Sequence, residues 1–193
     1  MTTSVNLTRC HWATSDELLR DYHDTEWGVP LHDDNRLFEF LVLEGAQAGL
    51  SWRTVLAKRE RYREVFRQFE IARVAAMTDR ALEKALLDPG IIRNRLKVSS
   101  TRSNAIAALA VIEEFGSLDA YLWSFVDGKT LSNRWCSMGE VPVSTELSDR
   151  MSKAMKKRGF RFVGSTICYS LLQATGMIND HLIGCFRHRP CVE

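Results

Sequence analysis

Glu44 stands where a charge is costly. It ends an apolar run, Leu37, Phe38, Phe40, Leu41 and Leu43, that reads as one buried helix. A carboxylate in such a place needs a partner or a purpose. Ala46, Ala48 and Gly49 follow, then Leu50 and Trp52. An acid, a flat aromatic and small residues that let something approach the backbone together suit a pocket wall. The alternative is a corner between two helices, with Glu44 exposed and Trp52 packed in the core. Trp12 and Tyr22 offer further rings. Aromatic faces with one buried carboxylate complement a flat cation, because ring faces and carboxylate both attract positive charge. A neutral base gains stacking and edge hydrogen bonds from such a set. A methylated, positively charged purine gains more.

Cysteine and histidine offer a second chemistry. Cys10 and His23 are spaced C-x12-H, and His181 and Cys185 are spaced H-x3-C. One helical turn would direct the second pair to the same side. Together the four make a Cys2His2 set, the donors of a closed structural zinc site. Zinc there would clip the two ends of the chain together. The spacing is unlike a zinc finger, so a buried Cys10 with surface histidines is the alternative. His188 and Cys191 lie close enough to be alternative ligands. Five cysteines without a CxxC pair argue against a disulfide framework or a redox dithiol.

The third constellation is basic. Lys153, Lys156, Lys157, Arg158 and Arg161 fall within nine residues with no acid between them. The stretch from about 148 to 175 reads as helix, hairpin, helix, a shape that binds DNA without reading its sequence. Hairpin N–H groups around Gly164 and the next helix N-terminus suit a phosphate. Ser165 and Thr166 add hydroxyls, and the lysines add charge. An ordinary corner with a solvated basic face is the alternative. The net charge of +2 excludes a bulk polycation, so phosphate contacts need such a local patch.

The elements that position these residues are helical. Only 4 prolines and 11 glycines in 193 residues favour long helices, and no alternating run is long enough for a sheet. The expected fold class is all-α. Ser15 caps a helix carrying Tyr22 and His23, which Gly28 and Pro30 break. Asn35 or Asp34 caps the helix to about Ala48, and Ser51 starts one to roughly Tyr62. A short element at 64–69 and helices near 72–77 and 79–87 precede a turn at Asp88-Pro89-Gly90. A long helix covers 91–115, with Val98, Ile106, Leu109 and Ile112 as its apolar positions. Gly116 ends it and Ser117 caps the next. Residues 127–145 form a long connection. Thr145 or Ser148 starts a helix that Gly159 stops, and Gly176 closes the helix at 165–175. The length suits one domain or two small lobes with a real core. No apolar run approaches the ~20 residues of a membrane span, and the N-terminus has no signal-peptide core. A cytoplasmic protein with reduced thiols, off the membrane and monomeric, is expected.

Several stretches together carry a resemblance. RCHW at 9–12, YHDTEWGVP at 22–30, LFEFLVLEGAQAGLSWRTVL at 37–56, GIIRNRLKV at 90–98 and KKRGFRFVGSTICYSLLQATGMINDH at 156–181 resemble the DNA-3-methyladenine glycosylase I family. That family belongs to the helix-hairpin-helix glycosylase superfamily. The likeness spans essentially the whole chain, in the family's order.

The resemblance implies a single glycosylase domain over 1–193, two helical lobes with the lesion pocket between them. It implies a structural zinc on Cys10, His23, His181 and Cys185. It places Tyr22 and Glu44 as base-binding and catalytic groups, with Trp12 and Trp52 as stacking walls. Gln47, Gly49 and Leu50 would contact the opened duplex, Leu50 filling the gap left by the flipped nucleotide. Lys156, Lys157, Arg158, Arg161, Gly164 and Thr166 would hold the backbone. The implied reaction is hydrolysis of the N-glycosidic bond of flipped 3-methyladenine in alkylated double-stranded DNA, releasing the free base. Leu19 departs from the pattern, since some members have tyrosine there. Thr166 stands where bifunctional relatives have a Schiff-base lysine, so no lyase activity is expected. Asp180 is expected to be structural. A silent DNA-damage sensor on the same scaffold is the rival reading. A zinc deaminase is excluded, because H-x-E and P-C-x-x-C are both missing.

Overall fold

The computed structural model describes residues 7–188. Among them the helices are α1 (Glu17–Thr25), α2 (Asp34–Gln47), α3 (Trp52–Leu56), α4 (Arg59–Val65) and α5 (Ile71–Ala75). Then come α6 (Asp79–Leu86), α7 (Arg95–Phe115), α8 (Leu118–Trp123), α9 (Glu146–Lys157) and α10 (Ser165–Ala174). The expected absence of a sheet needs one small correction. β1 (Leu131–Ser132) pairs in parallel with β2 (Ile178–Asn179). Two residues a side are too few for the alternation that marks a strand in sequence. Among the described residues no helix is long and apolar enough to cross a membrane.

α2 is the axis of the fold. Every residue from Leu37 to Ala46 is buried, as a helix surrounded by others requires. It packs against α3, α7, α8 and α10. The Asp33 side chain accepts the Arg36 N–H at 2.9 Å and caps it. Asp34 accepts the N–H groups of Leu118 and Asp119 at 3.1 and 2.8 Å. The start of α8 is thereby fastened to the start of α2. Two acids lie inside the buried stretch. Glu39 is met by the guanidinium groups of Arg36, Arg59 and Arg63. Among the described residues Glu44 is met by no cation.

Helix boundaries shift where a neighbouring side chain caps better. Asp16, not Ser15, caps α1, and Asp33 replaces Asn35 or Asp34 at α2. The helix expected to run from Ser51 to Tyr62 is two, α3 and α4, separated at Ala57 and Lys58. The long helix starts at Arg95, because the Asn94 side chain accepts the Lys97 N–H at 3.1 Å. Its inner face also differs from expectation. Ile106 and Leu109 are exposed. Val98 faces inward as expected, and Thr101, Ala105, Ala108 and Val111 face inward beside it. Small residues let α7 lie close to α5, and the larger side chains are left outside.

Thr145 and Ser148 close a reciprocal capping box on α9. The chain then turns through 158–164, with Phe160 and Val163 buried. Ser152 Oγ donates to the Val163 carbonyl at 2.6 Å, fixing the turn to α9. α10 follows directly.

Candidate functional site

Three buried polar atoms lack a hydrogen-bond partner among the described residues and line one cavity. They are Tyr22 Oη, Glu44 Oε2 and Trp52 Nε1. Buried polar groups are ordinarily paired, so three orphans at one place point to a ligand that pairs them. The cavity measures about 410 Å³, within the range of small-molecule sites. α1 supplies Tyr22, α2 supplies Glu44, and Trp52 is the first residue of α3, capped by Ser51. Trp12 comes from a 3-10 turn at His11–Ala13. The Tyr22 ring centre lies 5.4 Å from that of Trp52 and 6.4 Å from that of Trp12. The structure brings these four together around one cavity, and Glu44 is buried rather than exposed at a corner.

Burial pushes the Glu44 carboxyl up to about 8. Below that pH the group holds its proton, since no cation compensates its desolvation. Burial, and then the nearby Glu44, push the Tyr22 hydroxyl well above its usual range. The phenol is a donor at any physiological pH.

Gln47 to Leu50 form a tight turn in which the Leu50 N–H donates to the Gln47 carbonyl at 2.6 Å. Gly49 occupies its left-handed position at φ 78°, which a side chain would strain. Leu50 is 43% exposed. Leu19 lines the cavity, as do Gln47 and Thr166.

Four lining residues, Met138, Val141, Pro142 and Val143, come from the connection at 127–145. Sequence reasoning missed them, because an aperiodic connection gives no sign of where it packs. Trp27 also lines the cavity, its ring 5.1 Å from that of Trp12 and nearly perpendicular to it. It lay within a motif stretch without an assigned role. Asp180 lines the cavity too, but it is fully engaged. Tyr169 Oη, Gln173 Nε2, Asn133 Nδ2 and Trp135 Nε1 all donate to it.

Cys10, His23, His181 and Cys185 are all buried, with donor atoms within 4.8 Å of one another. Cys185 Sγ lies 3.4 Å from His23 Nε2 and 3.6 Å from His181 Nδ1; Cys10 Sγ lies 3.8 Å from His181 Nδ1. A tetrahedron with metal bonds of 2.0–2.3 Å has edges of roughly 3.6 Å. The far nitrogens are also fixed. His23 Nδ1 pairs with Asp24 at 2.8 Å, and His181 Nε2 with the Trp27 carbonyl at 3.1 Å. Each imidazole is thus oriented with its other nitrogen toward the cluster. The donor set fits a metal ion. One detail differs: residues 181–185 form a turn rather than a helix. His188 is not in the cluster; its Nε2 faces the Asn133 carbonyl at 2.9 Å. Cys191 lies outside the described residues.

Lys153, Lys156, Lys157, Arg161 and Thr166 are exposed around the 158–164 turn, and Gly164 caps α10. Arg158 is committed elsewhere. Its guanidinium pairs with Glu114 through both ends and sits 4.7 Å over the Phe115 ring. It fastens α9 to the end of α7.

Comparison with known proteins places nearly the whole chain. The family model described as methyladenine glycosylase matches residues 12–188. DNA-3-methyladenine glycosylase 1 of Escherichia coli (strain K12) is 49% identical over 177 residues, covering 92% of this chain and 95% of the relative. A crystal structure of 3-methyladenine DNA glycosylase I superposes with a TM-score of 0.90 at 52% identity, covering 94% of this chain and all of the other. The Staphylococcus aureus 3-methyladenine DNA glycosylase I, solved for the structural basis of 3-methyladenine recognition, gives a TM-score of 0.91 at 34% identity, with 95% and 97% covered. The helical fold is that of the 3-methyladenine DNA glycosylase I structures. The chain belongs to the methyladenine glycosylase family.

Proposed function

We propose that the protein is a monofunctional DNA glycosylase of base excision repair that releases 3-methyladenine from alkylated DNA. The observation that carries the reading is the convergence of three unpaired buried polar atoms on one aromatic-walled cavity. Tyr22 and Glu44 hydrogen-bond the flipped base, while Trp52 and Trp12 stack on it. Methylation at N3 has already made the base a cation. As the C1′–N9 bond breaks, its electron pair moves to N9 and neutralises the ring. Water adds to C1′ and releases a proton to solvent. Catalysis then rests on holding and orienting the base, not on a strong base or acid. Glu44 gives up its proton as the cation enters, and the ion pair forms in a dry site. Thr166 cannot form a Schiff base, which supports hydrolysis without lyase chemistry.

Gln47, Gly49 and Leu50 meet the opened duplex, with Leu50 in the vacated stack. Lys156, Lys157, Arg161 and the Gly164–Thr166 backbone hold phosphates; Arg158 contributes through the packing of α9. The Cys10, His23, His181 and Cys185 cluster is read as a structural zinc site. Bound zinc would tie residues 10–23 to 181–185 and so hold Trp12 and Tyr22 against the cavity. Metal analysis is expected to give about one zinc per chain; a folded, metal-free protein would refute that part.

The deciding experiment is release of free bases from methylated duplex DNA by the purified protein. 3-Methyladenine is the expected product. Tight binding of methylated DNA without release at micromolar enzyme would leave only a damage sensor. Replacing Lys156 and Lys157 with alanine is expected to lower DNA affinity regardless of sequence and flatten its salt slope by about two.

A further inference from the structure

The turn at Gln47–Leu50 and the hairpin at 160–164 lie far apart in sequence, yet both are tied to one face of α7. Lys97 Nζ donates to the Ala46 and Ala48 carbonyls at 2.8 and 2.6 Å. These belong to the last turn of α2 and its cap, where carbonyls lack helical partners and a cation is favoured. Burial lowers the affinity of this ammonium for its proton, as expected of a group that has exchanged water for protein.

Seven residues on, the buried Asn104 grips the hairpin. Its Nδ2 donates to the Arg161 carbonyl at 3.0 Å, and the Arg161 N–H donates to its Oδ1 at 2.8 Å. One side-chain amide thus takes both backbone groups of a hairpin residue. A seven-residue step returns to the same helix face about 10 Å along the axis. The last turn of α2, just before that tight turn, also meets the hairpin directly through Gly45 and Phe162. A Cβ on Gly45 would lie 3.0 Å from Phe162 Cβ, so any side chain there would push the two apart by a few tenths of an ångström. Phe162 itself is held at φ 56°, a conformation that persists only when its surroundings enforce it.

We propose that Lys97 and Asn104 are positioning residues, and that α7 is a spacer fixing the hairpin relative to the Leu50 turn. The proposal rests on the reading of those two elements as DNA contacts. Neither residue lines the base cavity. Their loss therefore acts on the flipping of a nucleotide from duplex DNA and leaves the pocket for a free base intact.

The experiment compares Lys97→Met, Asn104→Leu, the double variant and Lys97→Arg in the full-length protein. Two readouts are taken: single-turnover release from methylated duplex at saturating enzyme, and binding of free 3-methyladenine followed by tryptophan fluorescence. Each single variant is expected to slow duplex release about tenfold while free-base affinity stays within about twofold. The double variant is expected to slow it by less than the product, since a spacer released at one end no longer constrains the other. Lys97→Arg, which can reach both carbonyls, recovers most of the rate. Unchanged duplex release overturns the proposal. So does free-base affinity that falls in step with release, because the residues would then act through the pocket. Should Asn104→Leu fail to fold, Asn104→Asp keeps the acceptor for the Arg161 N–H and is expected to give a smaller version of the same split.

Leu50→Ala separates this proposal from the reading beneath it. If Leu50→Ala slows release and Lys97→Met does not, the wedge stands and the spacer falls. If Lys97→Met slows release and Leu50→Ala does not, the spacer stands and the wedge role of Leu50 falls.

Discussion

Glu44 and Asp180 are both buried carboxylates on the same cavity, and the protein treats them in opposite ways. Asp180 accepts from four side chains drawn from α10 and from the connection after β1. Glu44 presents an oxygen with no partner among the described residues, and burial pushes its carboxyl up to about 8. One acid is spent on structure: it joins Asn133 and Trp135 to Tyr169 and Gln173. The other is held in reserve at a cost to stability, as binding sites often are. Burial alone does not mark a functional acid; the missing partner does.

The sharpest way to break this contrast is to remove Asp180. Asp180→Leu leaves four donors facing an apolar group, and urea unfolding is expected to register a loss of ~3–5 kcal/mol. A loss below ~1 kcal/mol would mean that the four contacts carry no structural weight.

Glu44 is expected to do the reverse. Its folded carboxyl titrates near 8, above its ordinary 4.5, so the folded state keeps a proton that the unfolded state has released. Stability from this group is greatest below the ordinary value and falls as pH rises toward about 8. Between pH 6 and pH 8 the fall is roughly 2 kcal/mol. Glu44→Gln is expected to remove that fall and to melt above the parent at pH 8, while losing base release. An unchanged pH slope would show that Glu44 has a partner after all.

A permanently cationic ligand such as 3,9-dimethyladeninium sharpens the same point. Its affinity is expected to rise by up to about tenfold per pH unit on the approach to the Glu44 titration and to level off above it. Glu44→Gln should flatten the profile; a flat profile in the parent would separate Glu44 from charge recognition. The smallest effect is reserved for a single donor of the other acid. Gln173→Met removes one of four contacts to Asp180 and is expected to cost about 1 kcal/mol in unfolding, with base release little changed.

Much of the site was legible because its residues are chemically unusual for where they fall. Glu44 interrupts an apolar helix, and a Cys2His2 set survives at the two ends of the chain. Helix types were legible from period and caps, yet their limits moved by a few residues wherever an aspartate or asparagine reached an N–H better than its neighbour did. α7 shows a limit of a different kind. Ile106 and Leu109 looked like its inner face, but the inner face is alanine, valine and small polar residues, because tight helix contact selects size as well as apolarity. The connection at 127–145 gave no signal, although it supplies four residues of the cavity. Nothing local dictates where an aperiodic stretch will pack.

By itself the sequence singled out the residues whose types could carry chemistry: the acid, the rings, the four metal-type donors and the basic stretch. Their types and spacing fix what each can bind, and those are covalent facts of the chain. Only the tertiary structure decided which of them are satisfied. It gave Asp180 four partners, left Glu44 Oε2 with none among the described residues, turned Arg158 away to Glu114 and set Lys97 and Asn104 between the turn and the hairpin. Partners come from residues distant in sequence, and pairing and desolvation depend on where packing places them.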